Sequence, residues 1–491
     1  MTGKNEQADW LNAHSWNDHI YSNGWQRTGA VIDVREPATG AQLGRVGLAG
    51  AKEIANAAEK ALAAQVPWAA TSYEARGALL RAAAQVAEEN RQTLVDWLMR
   101  ESGSIRGKAE FEVAVSIKAL HLAAAMPSQS MGELLPSETG RLSIARRVPV
   151  GVVGVISPFN FPLYLAIRAV APALALGNAV VLKPDPRTAV SGGVTIARLF
   201  EAAGLPPGVL HVLPGHGDAG EALCVDPHIN MIQFTGSTRA GRIVGRVAGE
   251  HLKKVSLELG GKNALIVLDD ADLDLAVSNA NWGAFLHQGQ ICMAAGRILV
   301  HSKIVTEFSR RMAAKAREMP VGDPMTDRVA LGPLISKNQV GSALKVVEET
   351  VAQGAQLLAG GTADGLFFQP TVLAEVKPGM SAYREEIFGP VAVIVPFETD
   401  EEAIRIANDT ELGLSAAIIS KSIGRAMAIG DQLKVGLLHI NDQTVNDDVV
   451  NPFGGIGASG NGTSIGGPAN WELFTHWQWI TIRSKPPAYP L

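Results

Sequence analysis

GVVGVISPFNFPLYLAIRAVAPALALGNAVVLKP, residues 151–184, decides the fold. A β-branched run, GVVGVIS, passes through an Ala-rich stretch of helical period into a second β-branched run, NAVVLKP. Both runs are apolar almost throughout, the mark of strands buried on both faces of a parallel sheet. The rhythm continues through GVLHVLPG, NMIQFTGS and KKVSLELGG, with TAVSGGVTIARLFEAAG, GDAGEALCV and STRAGRIVGRVAGEH as the covering helices. Strands alternating with helices in this way predict an α/β, doubly wound sheet. The apolar stretch from Val148 to Leu182 is broken by Pro149, Pro158, Pro162, Arg168, Pro172, Gly177 and Asn178, so it does not form a membrane span of about 20 apolar residues.

A second series lies further on: ALIVLDD, a helix from about Asp272 to Gln288, GRILVH, the helix IVTEFSRRMAAKARE, PVAVIVPF, the helix DEEAIRIANDT, SAAIIS and GLLHIND. It predicts a second α/β unit. Ahead of the first unit, EIANAAEKALAAQ and ARGALLRAAAQVAEENRQTLVDWLMRES have the pattern of amphipathic helices that pack on it. Two segments alternate at period two, RLSIARRVPV (141–150) and HWQWITIRS (476–484), with mixed residues on both faces. Each reads as an edge strand or as an edge that finds a partner.

The whole chain has 491 residues, 47% of them hydrophobic and 19% charged, which fits two to four globular domains. A net charge of -5 without basic clusters argues against nucleic acid and anionic membranes as partners. The two cysteines, Cys224 and Cys292, make no disulfide framework, and MTGKNEQADW lacks the apolar core of a signal peptide, so a cytoplasmic protein is expected. No metal site is read from the sequence.

Ligands of open parallel sheets bind beyond the carboxyl ends of the strands. Those ends carry Asn160, Lys183, the turn Thr235-Gly236-Ser237, and Glu258. Gly236 and Ser237 read as an anion site at a helix mouth or as an ordinary capped turn. Glu258, between two leucines and ahead of two glycines, reads as a general base whose proton affinity is raised by apolar surroundings, against the ordinary reading of a solvated carboxylate. Asn160 is either an oxyanion donor or an amide that satisfies backbone groups, and Lys183 either a clamp on phosphate or sugar hydroxyls or a surface lysine. Cys292, in HQGQICMAAGR (287–297), is a nucleophile or a buried apolar residue.

SPFNFP, VVLKP, FTGST, LELGGKN, GQIC, EEIFGPV and NPFGG occur in the order and at the spacings of the aldehyde dehydrogenase superfamily, which the chain resembles over nearly its whole length. HINDQTVNDDVVNPFGG and KPDPRTAVSGG resemble most the bacterial benzaldehyde and vanillin dehydrogenases. The resemblance implies a Rossmann-like cofactor domain (1–127 and 149–257), a catalytic α/β domain (258–469) and a small β oligomerisation arm (128–148 and 470–491) in a homodimer or homotetramer. It implies Cys292 as nucleophile, Asn160 with the Cys292 N–H as oxyanion donors, and Glu258 as the base that releases a free acid rather than an acyl-coenzyme A. It places Gly236 and Ser237 at the pyrophosphate of NAD or NADP, Lys183 at the adenosine ribose, and Glu386, Phe388 and Phe159 on the nicotinamide side. It lines the pocket for an aromatic aldehyde with Phe161, Tyr164, Leu165, Ile291, Met293 and Phe453.

One position departs from the pattern. Where NAD-preferring relatives often carry a glutamate, three residues after the lysine, this chain has Pro186; NAD is the expected cofactor, with NADP also admitted. Arg168 stands where many relatives are apolar and reads as a packing residue, a salt-bridge residue or a contact for a polar substituent. The competing activities are oxidation of aliphatic aldehydes or semialdehydes and a non-redox hydrolase pairing Cys292 with His287, with a fold kept for binding duty ranked behind them.

Overall fold

The computed structural model describes residues 10–490; the first nine, on which the reading of the N-terminus rests, lie outside the described residues. The first sheet runs in the order Lys254–Glu258, Met231–Thr235, Val152–Ile156, Ala179–Lys183, Leu210–Val212, then His19–Ser22 and Trp25–Arg27. Its first five strands are parallel, and the last two join antiparallel. The strand that comes first in the parallel series, Val152–Ile156, lies in the middle and its successors wind away on both sides. The direction of winding reverses beside it, which opens a crevice at the strands' carboxyl ends.

The second sheet is ordered Gln356–Ala359, Thr371–Ala374, Val391–Phe397, Arg297–His301, Ala264–Val267, Ser415–Ile419, Leu437–Ile440. All its pairings are parallel except the outer one between Gln356–Ala359 and Thr371–Ala374. Only the segment 259–263 separates the last parallel strand of the first sheet from the Ala264–Val267 strand of the second. The chain thus has the α/β architecture that the alternation of strands and helices predicts.

The two period-two segments are each other's partners. Arg141–Pro149 pairs antiparallel with Thr475–Arg483 from Arg141↔Arg483 to Pro149↔Thr475, and Gly132–Leu135 joins on the other side. The arginine of Arg147 lies 4.1 Å over the Trp477 ring, and Trp479 donates to Ser143 Oγ at 2.8 Å. Leu134, Leu142, Trp477, Trp479 and Ile482 remain exposed on this small sheet.

Three helices differ from expectation, each for a visible reason. The stretch 75–102 is two helices, Tyr73–Glu89 and Arg91–Ser102, because Asn90 leaves helical geometry and its side chain bonds back to Val86 O. In 188–204 an α-helix forms only over Thr195–Ala202, preceded by a wider turn at Val190–Val194. There Gly192 and Gly193 approach Pro162 and Pro184, while the buried Glu101 carboxylate accepts from Val190 N and Ser191 N. The helix expected up to Gln288 ends at Phe285, since His287 and Gln288 take φ of 49° and 56°. Gln288 is held in that left-handed conformation by hydrogen bonds from its amide to Gly103 O and Pro333 O. Among the described residues no helix is long and apolar enough to cross a membrane.

Candidate active site

A cavity of about 390 Å³ opens at the carboxyl ends of the first sheet, a size that suits a ring-sized ligand. One wall is the helix Pro162–Ala175, whose Tyr164 and Arg168, one turn apart, share a face with Phe161 and Leu165. The Ile291-Cys292-Met293 turn, Phe453 and Ile465 also line the cavity. Asn160 and Glu258 reach the same space from the first sheet. The nine sequence candidates for nucleophile, base, oxyanion donor and pocket wall therefore meet in one cavity.

Cys292 is half-buried in the wall of this cavity. Burial pushes its thiol up to about 12, and the carboxylates of Glu386, Glu258 and Asp447 act in the same direction. Its backbone carbonyl accepts from Asn263 Nδ2 at 2.8 Å, which fixes the turn that presents the sulfur. The other cysteine, Cys224, is a core residue whose thiol burial pushes up to about 11.

Glu258 is the last residue of its strand and is bridged to Gly460. Neither carboxylate oxygen has a hydrogen-bond partner among the described residues, and burial raises its affinity for a proton well above the usual carboxylate range. Arg168 opposes that shift and Asp447 adds to it. A carboxyl group so placed holds a proton strongly and is free to pass it to or take it from whatever occupies the cavity.

The Asn160 amide donates one N–H to Gln290 O at 2.9 Å, so the second hydrogen of Nδ2 is uncommitted. Its loop is anchored by a pair absent from the sequence reading. Lys108 and Glu112, both with wholly buried side chains, are joined at 2.5 Å; Lys108 Nζ also donates to Asn160 O at 2.7 Å and lies 4.1 Å over the Phe161 ring. Glu112 Oε1 accepts from Leu163 N and Tyr164 N, which caps the pocket helix in place of Phe161, whose side chain makes no cap hydrogen bond. In sequence the pair looks like an ordinary i,i+4 surface couple. The one signal against that reading is its place in a helix, Arg106–Ala125, with apolar residues around most of its circumference.

The remaining candidates lie beside this cavity rather than in its wall. Ser237 caps the helix Thr238–Glu250 through Ala240 N, and Gly236 N donates to Glu258 O at 3.0 Å. Lys183 Nζ donates to Gly215 O at 2.7 Å. Glu386 Oε1 accepts from Gly261 N, and a Cβ on Gly260 would stand 2.1 Å from its other oxygen, so only glycine lets this carboxylate approach. Burial pushes the Glu386 carboxyl up to about 7. Phe388, at φ 53°, meets Phe159 edge to face at 5.9 Å, and the Arg187 guanidinium lies 4.2 Å over the Phe159 ring. Asp185 accepts three hydrogen bonds from Arg187, from its backbone N at 2.9 Å, Nε at 2.8 Å and Nη2 at 2.6 Å.

Arg168 is a salt-bridge residue. Its Nη1 bonds Asp447 Oδ2 at 2.9 Å and its Nη2 bonds Ile465 O at 3.1 Å, with the guanidinium 4.3 Å over Phe453. Asp447 was not read from the sequence; nothing marks it among the neighbouring Asp442 and Asp448 except its place in the fold. His287 does not form the arrangement a hydrolase needs. It is buried edge-on against Phe161, both ring nitrogens lack partners among the described residues, and burial holds it neutral.

A family model described as "Aldehyde dehydrogenase family" matches residues 25–480, and the chain belongs to that family. It is 54% identical over 482 residues to a vanillin dehydrogenase of Amycolatopsis sp., covering 98% of this chain and 99% of that one. It is 49% identical to a Pseudomonas putida protein named benzaldehyde dehydrogenase [NAD(+)], covering 97% and 98% of the two chains. Betaine aldehyde dehydrogenase of Staphylococcus aureus, solved with NAD+, superposes with a TM-score of 0.93 at 29% identity, covering 96% of each chain. An E. coli enzyme described as NADP dependent gives 0.93 at 33% identity, covering 96% of this chain and 99% of its own.

Proposed function

We propose that the protein oxidises an aromatic aldehyde to the carboxylic acid, with NAD as cofactor and NADP as a second choice. The observation that carries this reading is the single cavity in which Asn160, Glu258 and Cys292 meet Phe161, Tyr164 and Phe453. Names of the relatives at 54% and 49% identity, vanillin and benzaldehyde dehydrogenase, support the aromatic substrate.

Cys292 attacks the aldehyde carbon as its thiolate, the thiol proton having passed to solvent through the open cavity, so the Glu258 carboxylate in the same cavity stays unprotonated for the later step. The oxygen of the resulting thiohemiacetal draws on the free N–H of Asn160, a single donor of the kind worth about 3 kcal/mol. Loss of hydride from the carbon leaves a thioester on Cys292. Glu258 then takes a proton from water, the water attacks the thioester, and acid and free thiol are released. When bound, the nicotinamide supplies the hydride acceptor.

The residues present fit a dinucleotide: Gly236 and Ser237 open the 13-residue helix at the sheet's carboxyl rim, and the Lys183 ammonium stands at the same rim. Glu386, Phe388 and Phe159 would hold the nicotinamide end. The reading also assigns 1–127 and 149–257 to cofactor binding, 258–469 to catalysis, and 128–148 with 470–491 to an arm between subunits of a cytoplasmic homo-oligomer.

The test is the initial rate of nicotinamide reduction with NAD and NADP against benzaldehyde, vanillin, hexanal and succinic semialdehyde. Preference for the aromatic pair supports the reading; faster oxidation of hexanal or the semialdehyde overturns the substrate class. Cys292→Ala must abolish the reaction, and retained turnover would overturn the mechanism.

A further inference from the structure

The polar group at one side of the cavity has no part in the chemistry above. Asp447 Oδ2 accepts from both Arg168 Nη1 at 2.9 Å and Tyr164 OH at 3.1 Å. Its Oδ1 has only a long contact, 3.5 Å, to Arg168 Nη2. One oxygen is thus saturated by the protein, and the other keeps acceptor capacity in a cavity whose wall is otherwise mainly apolar.

Two side chains of the pocket helix fix this carboxylate. Arg168 and Tyr164 project from one face of the pocket helix, and the guanidinium is clamped by Ile465 O and the Phe453 ring. The Asp447 loop approaches from the second unit, after the Leu437–Ile440 strand. A buried ion pair of this kind adds little to stability compared with an apolar replacement. Its position against the pocket gives it a different use.

Resting on the aromatic-aldehyde reading, we propose that Asp447, aligned by Arg168 and Tyr164, accepts a hydrogen bond from a hydroxyl group on the substrate's ring, at the 3- or 4-position relative to the aldehyde. Because Arg168 is already neutralised by Asp447, and Glu258 lines the same cavity, this corner disfavours a ring carboxylate. The site therefore selects neutral hydroxybenzaldehydes.

The experiment compares kcat/KM for 3- and 4-hydroxybenzaldehyde, 4-carboxybenzaldehyde and benzaldehyde in wild type, Asp447→Asn and the double variant Arg168→Met/Asp447→Leu. The double variant leaves no unpaired buried charge, so it keeps the test open should the single change prevent folding. Wild type is expected to prefer at least one hydroxybenzaldehyde over benzaldehyde, and both over the carboxylate. In the double variant the hydroxy-to-benzaldehyde ratio falls about tenfold, equivalent to about 1.4 kcal/mol. An unchanged ratio, or a wild type that treats the hydroxylated and plain rings alike, overturns the role of Asp447. Failure of the underlying reading looks different: wild type then oxidises none of the aromatic aldehydes.

Discussion

Glu112→Ala tests how the active-site loop is held. The substitution removes the ion partner of the wholly buried Lys108 and the acceptor for Leu163 N and Tyr164 N at the start of the pocket helix. Breaking a buried pair from one side costs about 3–5 kcal/mol, and each buried N–H left without a partner costs about 1–3 kcal/mol. The two costs overlap, because burial already lowers the proton affinity of Lys108 and loss of Glu112 lowers it further. A net loss of about 4 kcal/mol is expected, toward the upper end of single-site effects. Urea unfolding followed by tryptophan fluorescence reads the stability, and steady-state kinetics reads the Asn160 loop, which Lys108 holds through Asn160 O. Lys108→Met/Glu112→Leu, which leaves no buried charge, should regain about half of the lost stability. A stability loss below about 1 kcal/mol with unaltered kcat would refute the assignment of this pair as the anchor of the pocket helix.

Asn160→Ala should lower kcat about 100-fold or more, while KM for the aldehyde changes much less, since the amide acts on a charge that forms only after attack. Glu258→Gln should give a rapid first turnover of reduced nicotinamide followed by stalled hydrolysis. In wild type the corresponding limb rises with pH above the ordinary carboxylate range, because burial raises the Glu258 pKa and only the deprotonated form is a base; a pH limb surviving in the variant contradicts this. His211, wholly buried between Ser22 Oγ and Gly208 O, is held down to about 4 by burial. The unfolded chain therefore binds the extra proton first, and stability is lost as pH falls from about 6.5 to 4, by up to about 3 kcal/mol. Unfolding titrations of His211→Gln should show a flatter slope over that window, and an identical slope assigns the loss elsewhere. Removing residues 475–491 strips the Arg141–Pro149 strand of its partner; light scattering should then report a smaller assembly than wild type, and an unchanged mass argues against an arm between subunits.

The parallel strands were legible because burial on both faces leaves each run rich in β-branched residues, as in Val152–Ile156 and Ala264–Val267. Pro, Gly and Asn at their ends marked the turns. The N-terminal strands His19–Ser22 and Trp25–Arg27 were not legible: they are short and partly polar, and the first pairs with Leu210–Val212 far along the chain. The break at Asn90 and the left-handed His287-Gln288 pair depend on hydrogen bonds to distant groups, which local pattern does not carry. Cys292, Glu258 and Asn160 announced themselves through the motifs around them. Glu112, Lys108 and Asp447 did not, because a charged side chain becomes informative only when its burial is known, and Asp447 meets Arg168 across 279 positions of sequence.

The short span 259–263 also separates two duties in space. Glu258 ends a strand of the first sheet, whereas Cys292 is carried by the turn before a strand of the second. The join is stapled at Gly260 O by Ser459 Oγ, and Leu259 N bonds Ser459 O. A small rotation of one sheet against the other would alter the separation of carboxyl and sulfur while leaving the interior of each sheet intact. Ser459 thus bonds both residues that follow the Glu258 strand, at the point where the chain crosses to the second sheet.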